Sequence, residues 1–228
     1  EKKSENEVRK TVLHAVVYHL RRYNPNDIQL SRIDKDYILG FLDYLKTAKQ
    51  THTKKEKLLH VNTQVYYYKM LRYCLNYAVS EELISANPMN KIKNEEKPHK
   101  HRTEREYLTI DELRKLAQTP FYNGLLKKAF LFSCFCGLRH SDIIALTWGD
   151  IEMDDDGNFR LYIIQKKTKE AISLPLSQEA IKQLPKREDA KEDDIIFKKL
   201  ITLGRTNEIL PKWAEQAGIK KHITFHTA

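Results

Sequence analysis

Three short stretches of the sequence carry residues suited to chemistry on a phosphate. The first is Cys136-Gly137-Leu138-Arg139-His140-Ser141-Asp142. A glycine stop with Arg139 at the start of a new helix brings a bidentate guanidinium together with free backbone N–H groups, both of which suit a phosphate. The competing reading is an arginine paired with a helix carboxylate, and Asp142 is near enough in sequence to be that partner. The second stretch is Gln165-Lys166-Lys167-Thr168-Lys169-Glu170, running into Ser173-Leu174-Pro175-Leu176. A basic turn between strands is usually a solubilising edge, and it can also carry a mobile ammonium into a groove. The third is Thr224-Phe225-His226-Thr227-Ala228. A lone histidine is more often structural than catalytic. His222 and His226 would need a third ligand to hold a metal, and none is in view.

The balance of charge points to a polyanion. Lys and Arg total 40 against 31 Asp and Glu, a net charge of +9. Residues 1–105 hold 21 basic and 13 acidic groups (+8), and residues 106–228 hold 19 and 18 (+1). A basic first half beside a near-neutral second half suits an electrostatic grip on nucleic acid. Cys74, Cys134 and Cys136 are too few and too scattered for a disulfide framework, and Cys134-Phe135-Cys136, in an apolar run, reads as reduced core packing in a cytosolic protein. No apolar run is long enough to cross a bilayer. The chain opens on Glu1-Lys2-Lys3-Ser4 with neither an initiator Met nor a signal-peptide pattern, and reads as a piece of a longer protein.

The elements that must hold these stretches follow from periodicity. Ser4-x-x-Glu7 has the form of a capping box ahead of Val8, Val12, Ala15, Val16, His19 and Leu20 at helical spacing. Asn24-Pro25-Asn26-Asp27 reads as a turn. Asp34 can cap a second helix with an apolar face of Tyr37, Ile38, Phe41, Leu42 and Leu45. Thr47–Lys57 is polar and basic. A third helix fits 63–80, with Val65, Tyr68, Tyr73, Leu75 and Tyr77 among its contacts, and a short fourth fits 81–85 before Ala86-Asn87-Pro88. Tyr66-Tyr67-Tyr68-Lys69 with Arg72 mixes aromatic and basic groups in the manner of nucleic-acid binders, but adjacent tyrosines on a helix point in different directions. We read them as mostly core, with Lys69 and Arg72 as phosphate contacts.

A boundary lies at 94–106, apolar-poor and broken by Pro98; about twelve extended residues span roughly 40 Å, more than a duplex is wide. Beyond it, Thr109-x-x-Glu112 is another capping box, and Leu125 to Ser133 is a strongly apolar helix stopped by Gly137. Ser141–Leu146 resumes helix. The period then changes to strands at 150–153, 159–164 and 171–174, followed by helix from Ser177 to Leu184 and from Asn207 to Ala217. The expected architecture is mainly α with two domains. Residues 1–93 form a four-helix domain, 94–106 a linker, and 107–228 a mixed α+β domain with a small three-stranded antiparallel sheet.

In this order and spacing the three stretches resemble the tyrosine recombinases of the phage integrase family. The family's first box, G-L-R-x-S-[DE]-[LI], is matched by Gly137, Leu138, Arg139, Ser141, Asp142 and Ile143, and Ala145-Leu146-x-Trp148-x-Asp150-Ile151 continues the likeness. The family's hairpin lysine falls on Lys167, counting back from Pro175, with Lys166 and Lys169 as near competitors. His226-Thr227-Ala228 supplies the H-x-x-R box up to its arginine. The helical half resembles the SAM-like core-binding domain.

The resemblance implies a catalytic set of Arg139, Lys167 and His226 with no metal or cofactor, and Asp142 in support, holding Arg139 in place. It implies strand breaking and rejoining through a 3′-phosphotyrosyl link. It implies double-stranded DNA as partner, contacted by Lys54, Lys55, Lys69, Arg72, His140, Lys166 and Lys169. It further implies a homotetramer on DNA for the full-length parent, a monomeric fragment, and a cytoplasmic, nucleoid-associated location without membrane. The family's nucleophile lies well after the second box, whereas the last of the twelve tyrosines is Tyr162. The chain as it stands is therefore expected to bind DNA without cleaving it. The alternative is a non-catalytic DNA-binding protein of recombinase-like fold. A type IB topoisomerase fits the compact helical first domain less well, and a basic helical RNA-binding protein predicts no lysine hairpin matched to Arg139.

Overall fold

The computed structural model describes residues 2–26, 28–50, 56–102 and 106–228, with side chains from Arg9 onward. The backbone divides into two compact units, Glu1–Thr103 and Glu104–Ala228.

The first unit is built on helices α1 (Lys2–Tyr23), α2 (Lys35–Thr47) and α3 (Val61–Ser80). α1 starts at Lys2, so Ser4 and Glu7 lie inside the helix and not at its cap; their side chains are outside the described residues. Asp34 does cap α2, its carboxylate accepting the Tyr37 N–H at 2.8 Å, a contact worth about 1 kcal/mol. Val16, Ile38, Phe41, Leu45, Leu71 and Leu75 meet in one apolar cluster closed by Met89 and Ile92. Two of the three adjacent tyrosines, Tyr67 and Tyr68, are buried there, while Tyr66 faces solvent. Tyr73 and Tyr77, expected as contacts of α3, are exposed instead, because they fall on the face opposite Leu71 and Leu75. Between α2 and α3 the backbone pairs Lys49 with Leu58 in an isolated antiparallel bridge. Lys54 and Lys55 lie outside the described residues.

The fourth helix expected at 81–85 is replaced by a turn. Glu82 takes a left-handed conformation (φ 57°), and the N–H groups of Glu82 and Leu83 return to the carbonyls of Val79 and Ala78. This is the double bond pattern that ends a helix, so the chain cannot continue helically there. The next helical piece is a 3-10 turn, Pro88–Lys91, capped by the buried Asn87. Residues from Asn94 to Arg102 are partly fastened to this unit: Lys35 pairs with Glu96 at 2.7 Å, and the His101 backbone exchanges two bonds with the Asn62 side chain.

The second unit begins with α4 (Ile110–Gln118) and α5 (Gly124–Cys136), followed by a short α6 (His140–Ile143). Three antiparallel strands follow in the order β1 (Ile151–Met153), β2 (Phe159–Ile164) and β3 (Ala171–Pro175). Helices α7 (Gln178–Ile181) and α8 (Leu203–Gln216) precede a closing 3-10 turn at Phe225–Thr227. α8 starts earlier than Asn207, capped by Thr202, and contains Pro211. α5 is the central post: Leu126, Ala129, Phe130, Leu131, Phe132 and Ser133 are all buried, against Leu161 of β2, Trp213 of α8 and Phe225. Among the described residues no helix is long and apolar enough to cross a membrane, and no group of three His, Cys, Asp or Glu could hold a metal. Burial pushes the Cys134 and Cys136 thiols up to about 12.

The first unit also buries a titratable group. His19 sits between Tyr18, Tyr44 and Tyr67, with Nδ1 at 3.3 Å from the Tyr44 hydroxyl and Nε2 without a protein partner. Burial, aided by the charge of Arg22, lowers its pKa below 6.5. The unfolded chain therefore takes up the proton first as pH falls, and stability that is full above pH 6.5 drops below it. The thermal midpoint is expected to be level above neutrality and to decline from pH 6.5 downward. That decline should be shallower in His19→Gln, and equal slopes in the two proteins would remove His19 as its source.

Candidate functional site

Gly137 ends α5 in the left-handed conformation (φ 64°), and its N–H returns to Ser133. The Ser133 hydroxyl holds the carbonyl of the buried Leu138 at 2.5 Å. Arg139 follows as the N-cap of α6, half-buried, so its direction is set by a rigid post on one side and a buried leucine on the other. Its Nη1 donates to Gln165 Oε1 at 2.7 Å. The link to Asp142 expected from sequence is not made. Asp142 is buried, and its Oδ1 accepts the backbone N–H of Lys166 at 3.0 Å while Oδ2 has no partner. Asp142 thus anchors the lysine loop and leaves Arg139 to Gln165. The geometric reason is that α6 turns the Asp142 side chain toward the end of β2.

The loop is carried by the β2–β3 hairpin. Gln165 N–H bonds to the Glu170 carbonyl and Lys169 N–H to the Gln165 carbonyl, each at 3.0 Å. The four residues Lys166, Lys167, Thr168 and Lys169 lie between, all exposed. Lys169 takes a positive φ of 62°, a strained conformation for a side chain larger than glycine.

His226 is exposed on the last 3-10 turn. Three contacts fix that turn: the Thr224–Thr227 capping pair, a bond of 2.9 Å from Phe225 N–H to the Asn207 side chain of α8, and the burial of Phe225 (1% exposed). The segment just before it is stapled to the start of the unit. Lys221 pairs with Glu112 at 2.7 Å and lies over the Tyr107 ring, and Glu106 accepts the His222 N–H. Glu112 is therefore both the capping-box partner of Thr109 and a counter-ion, and both bonds hold its carboxyl below the usual range.

His140 joins the two ends. Expected among the DNA contacts, it is instead buried: its ring meets Phe225 edge to face at 4.9 Å, and Nε2 lies 3.2 Å from the Ile201 carbonyl. Burial lowers its pKa, and the nearby His226 adds to the effect. The turn of Arg139, the lysine loop and the turn of His226 are thereby brought together through neighbours: Arg139 to Gln165, Asp142 to Lys166, and His140 to Phe225. Lys69 and Arg72 belong to α3 in the first unit. Lys69 is exposed, and Arg72 is half-buried and donates to Asn90 at 3.0 Å. Sequence reasoning missed Gln165, Asn207 and Phe225 as supports. The available signal was a neutral amide at the root of an otherwise charged turn, and a phenylalanine directly before His226.

Because Phe225 fills the space between Phe130 and His140, Phe225→Ala is expected to cost about 3–5 kcal/mol. Chemical denaturation measures it, and a loss below about 1 kcal/mol would mean that packing does not hold the turn.

Comparison with known proteins follows this division. Residues 1–96 match the phage integrase SAM-like domain, and residues 106–228 match the phage integrase family. Among curated proteins none matches. In solved structures, a lambda integrase (75–356) dimer bound to a COC′ core site is similar at 21% identity and a TM-score of 0.67, over 94% of this chain and 74% of that one. A lambda integrase tetramer bound to a Holliday junction aligns at 21% identity and 0.66, over 94% and 62%. XerH site-specific recombinase bound to difH substrate aligns at 16% identity and 0.59, over 87% and 58%. The chain spans 60% of the longer lambda integrase chain in a further dimer complex. With one family model covering more than half of its length, and a second covering the helical unit before it, the chain belongs to the phage integrase family, the tyrosine recombinases.

Proposed function

We propose that this chain is the DNA-gripping and catalytic core of a site-specific recombinase, acting on a backbone phosphate of duplex DNA. The observation that carries the reading is the contact of three separate sequence stretches of the second unit that bear Arg139, the three loop lysines and His226. In this reading Arg139 stabilises charge on the non-bridging oxygens, a preorganised clamp of the kind that contributes most to such reactions. Lys167, exposed on a strained loop with Lys166 and Lys169 beside it, protonates the departing 5′ oxygen as general acid. His226 supports the phosphate or exchanges a proton with the nucleophile. That nucleophile is a tyrosine hydroxyl forming a 3′-phosphotyrosyl link. The covalent link conserves bond energy, so strands can be rejoined without a nucleotide cofactor. Lys69 and Arg72 add contacts to the DNA backbone, and assembly on DNA is as a homotetramer of the full-length protein.

A narrower reading holds for the 228 residues themselves. Tyr162, the last tyrosine, sits exposed on β2, before the lysine loop. The chain binds DNA, and the nucleophile comes from outside these residues.

Two measurements test this. Arg139→Ala should weaken binding of the chain to duplex DNA and reduce the slope of log K against log salt by about 1, the loss of one phosphate contact. In a full-length protein the same substitution should lower cleavage of a suicide substrate by roughly 10²–10³-fold, and undiminished cleavage would reject the role. On the same substrate the 228-residue chain should give no covalent product. A trapped adduct would show that one of its own tyrosines is the nucleophile.

A further inference from the structure

We infer that Gln165 is a positioning residue for Arg139, holding the guanidinium with a neutral acceptor so that its charge stays available to a phosphate. This rests on the role proposed for Arg139 above.

Gln165 is buried at the junction of β2 and the lysine loop. Its Oε1 accepts from Arg139 Nη1 at 2.7 Å and from the Thr168 hydroxyl at 2.8 Å. A guanidinium can only donate, so the amide must present its oxygen to it; the opposite orientation would set N–H against N–H. A long side chain such as Arg139 loses considerable rotamer freedom on being fixed, and the bond to Gln165 fixes it before any ligand arrives. A carboxylate at the same place would bind more strongly but would cancel the positive charge that a phosphate is to meet. Among the described residues Arg139 has no carboxylate within ion-pair distance, and the nearest acid in sequence, Asp142, is engaged with Lys166. Among the described residues one of the five guanidinium donors is used, by Gln165. The oxygen that orients Arg139 also holds Thr168, so the arginine and the lysine loop share one anchor.

The test is binding of the 228-residue chain to duplex DNA across a salt series, with thermal unfolding measured alongside. The proteins compared are wild type, Gln165→Glu, Gln165→Met, Arg139→Ala, and Arg139→Ala combined with Gln165→Met. Gln165→Glu keeps an acceptor and is expected to keep its thermal midpoint. Its salt slope should nevertheless fall by about 1, as in Arg139→Ala, with binding weakened roughly 10-fold or more. Wild-type binding by Gln165→Glu overturns the inference. Gln165→Met keeps the charge and loses the anchor: it should bind several-fold more weakly at an unchanged slope, and it decides the matter should Gln165→Glu fail to fold. Wild-type affinity there also overturns the inference. The double variant should bind no more weakly than Arg139→Ala alone, because Gln165 acts only through Arg139; additive losses overturn it. If Arg139→Ala itself binds as wild type, the role of Arg139 fails and Gln165 has nothing to position. If only the Gln165 variants are silent, the role of Arg139 stands without it.

Discussion

The edge-to-face contact between His140 and Phe225 is the joint on which the geometry of the second unit turns. Each ring is the sequence neighbour of a residue that faces outward: His140 follows Arg139, and Phe225 precedes His226. Gln165 takes one donor of the half-buried Arg139, and the rest of the positioning falls on these neighbours. Locking the adjacent residues in the core transmits the rigidity of close packing outward by one backbone step. Phe130 of α5 backs Phe225 from the other side, so the post that ends at Gly137 and launches Arg139 also supports the turn of His226.

Polar contacts then divide the remaining work without spending charge at the surface. Asp142 anchors the lysine loop through a backbone N–H, and Gln165 orients Arg139 with an amide oxygen. The side chains of the loop lysines are exposed. Each unit also has its own ion pair between elements, Lys221–Glu112 in the second and Lys35–Glu96 in the first. Arg139 and the root of the lysine loop are therefore held through an amide oxygen and a backbone N–H, and the near-balanced charge of residues 106–228 conceals a local excess.

Much of the fold could be read from the sequence, for reasons that are local. The capping pair of Thr109 and Glu112, the Asp34 cap, the stop at Gly137 and the three strands depend on neighbouring residues and on periodicity, both visible in one dimension. Failures came where the outcome depended on a backbone reversal or on distant residues. Residues 81–85 have helical composition, but the backbone of Glu82 reverses to close α3. His140 carries the look of a DNA contact until Phe225, 85 positions on, claims its ring. Asp142 has Arg139 as its partner in the sequence reading, but the direction of α6 brings it to the backbone N–H of Lys166, 24 positions on. The supporting shell of Gln165, Asn207 and Phe225 is legible only once the chain is folded, since none of these residue types announces a role alone.

Pro211 has an effect one turn back along α8. A proline contributes no N–H, and the carbonyl that would have received it is that of the residue four positions earlier, here Asn207. Asn207 is the residue whose side chain secures Phe225. The helix thus gives up a rung of its ladder at the place where it lends an arm to another segment.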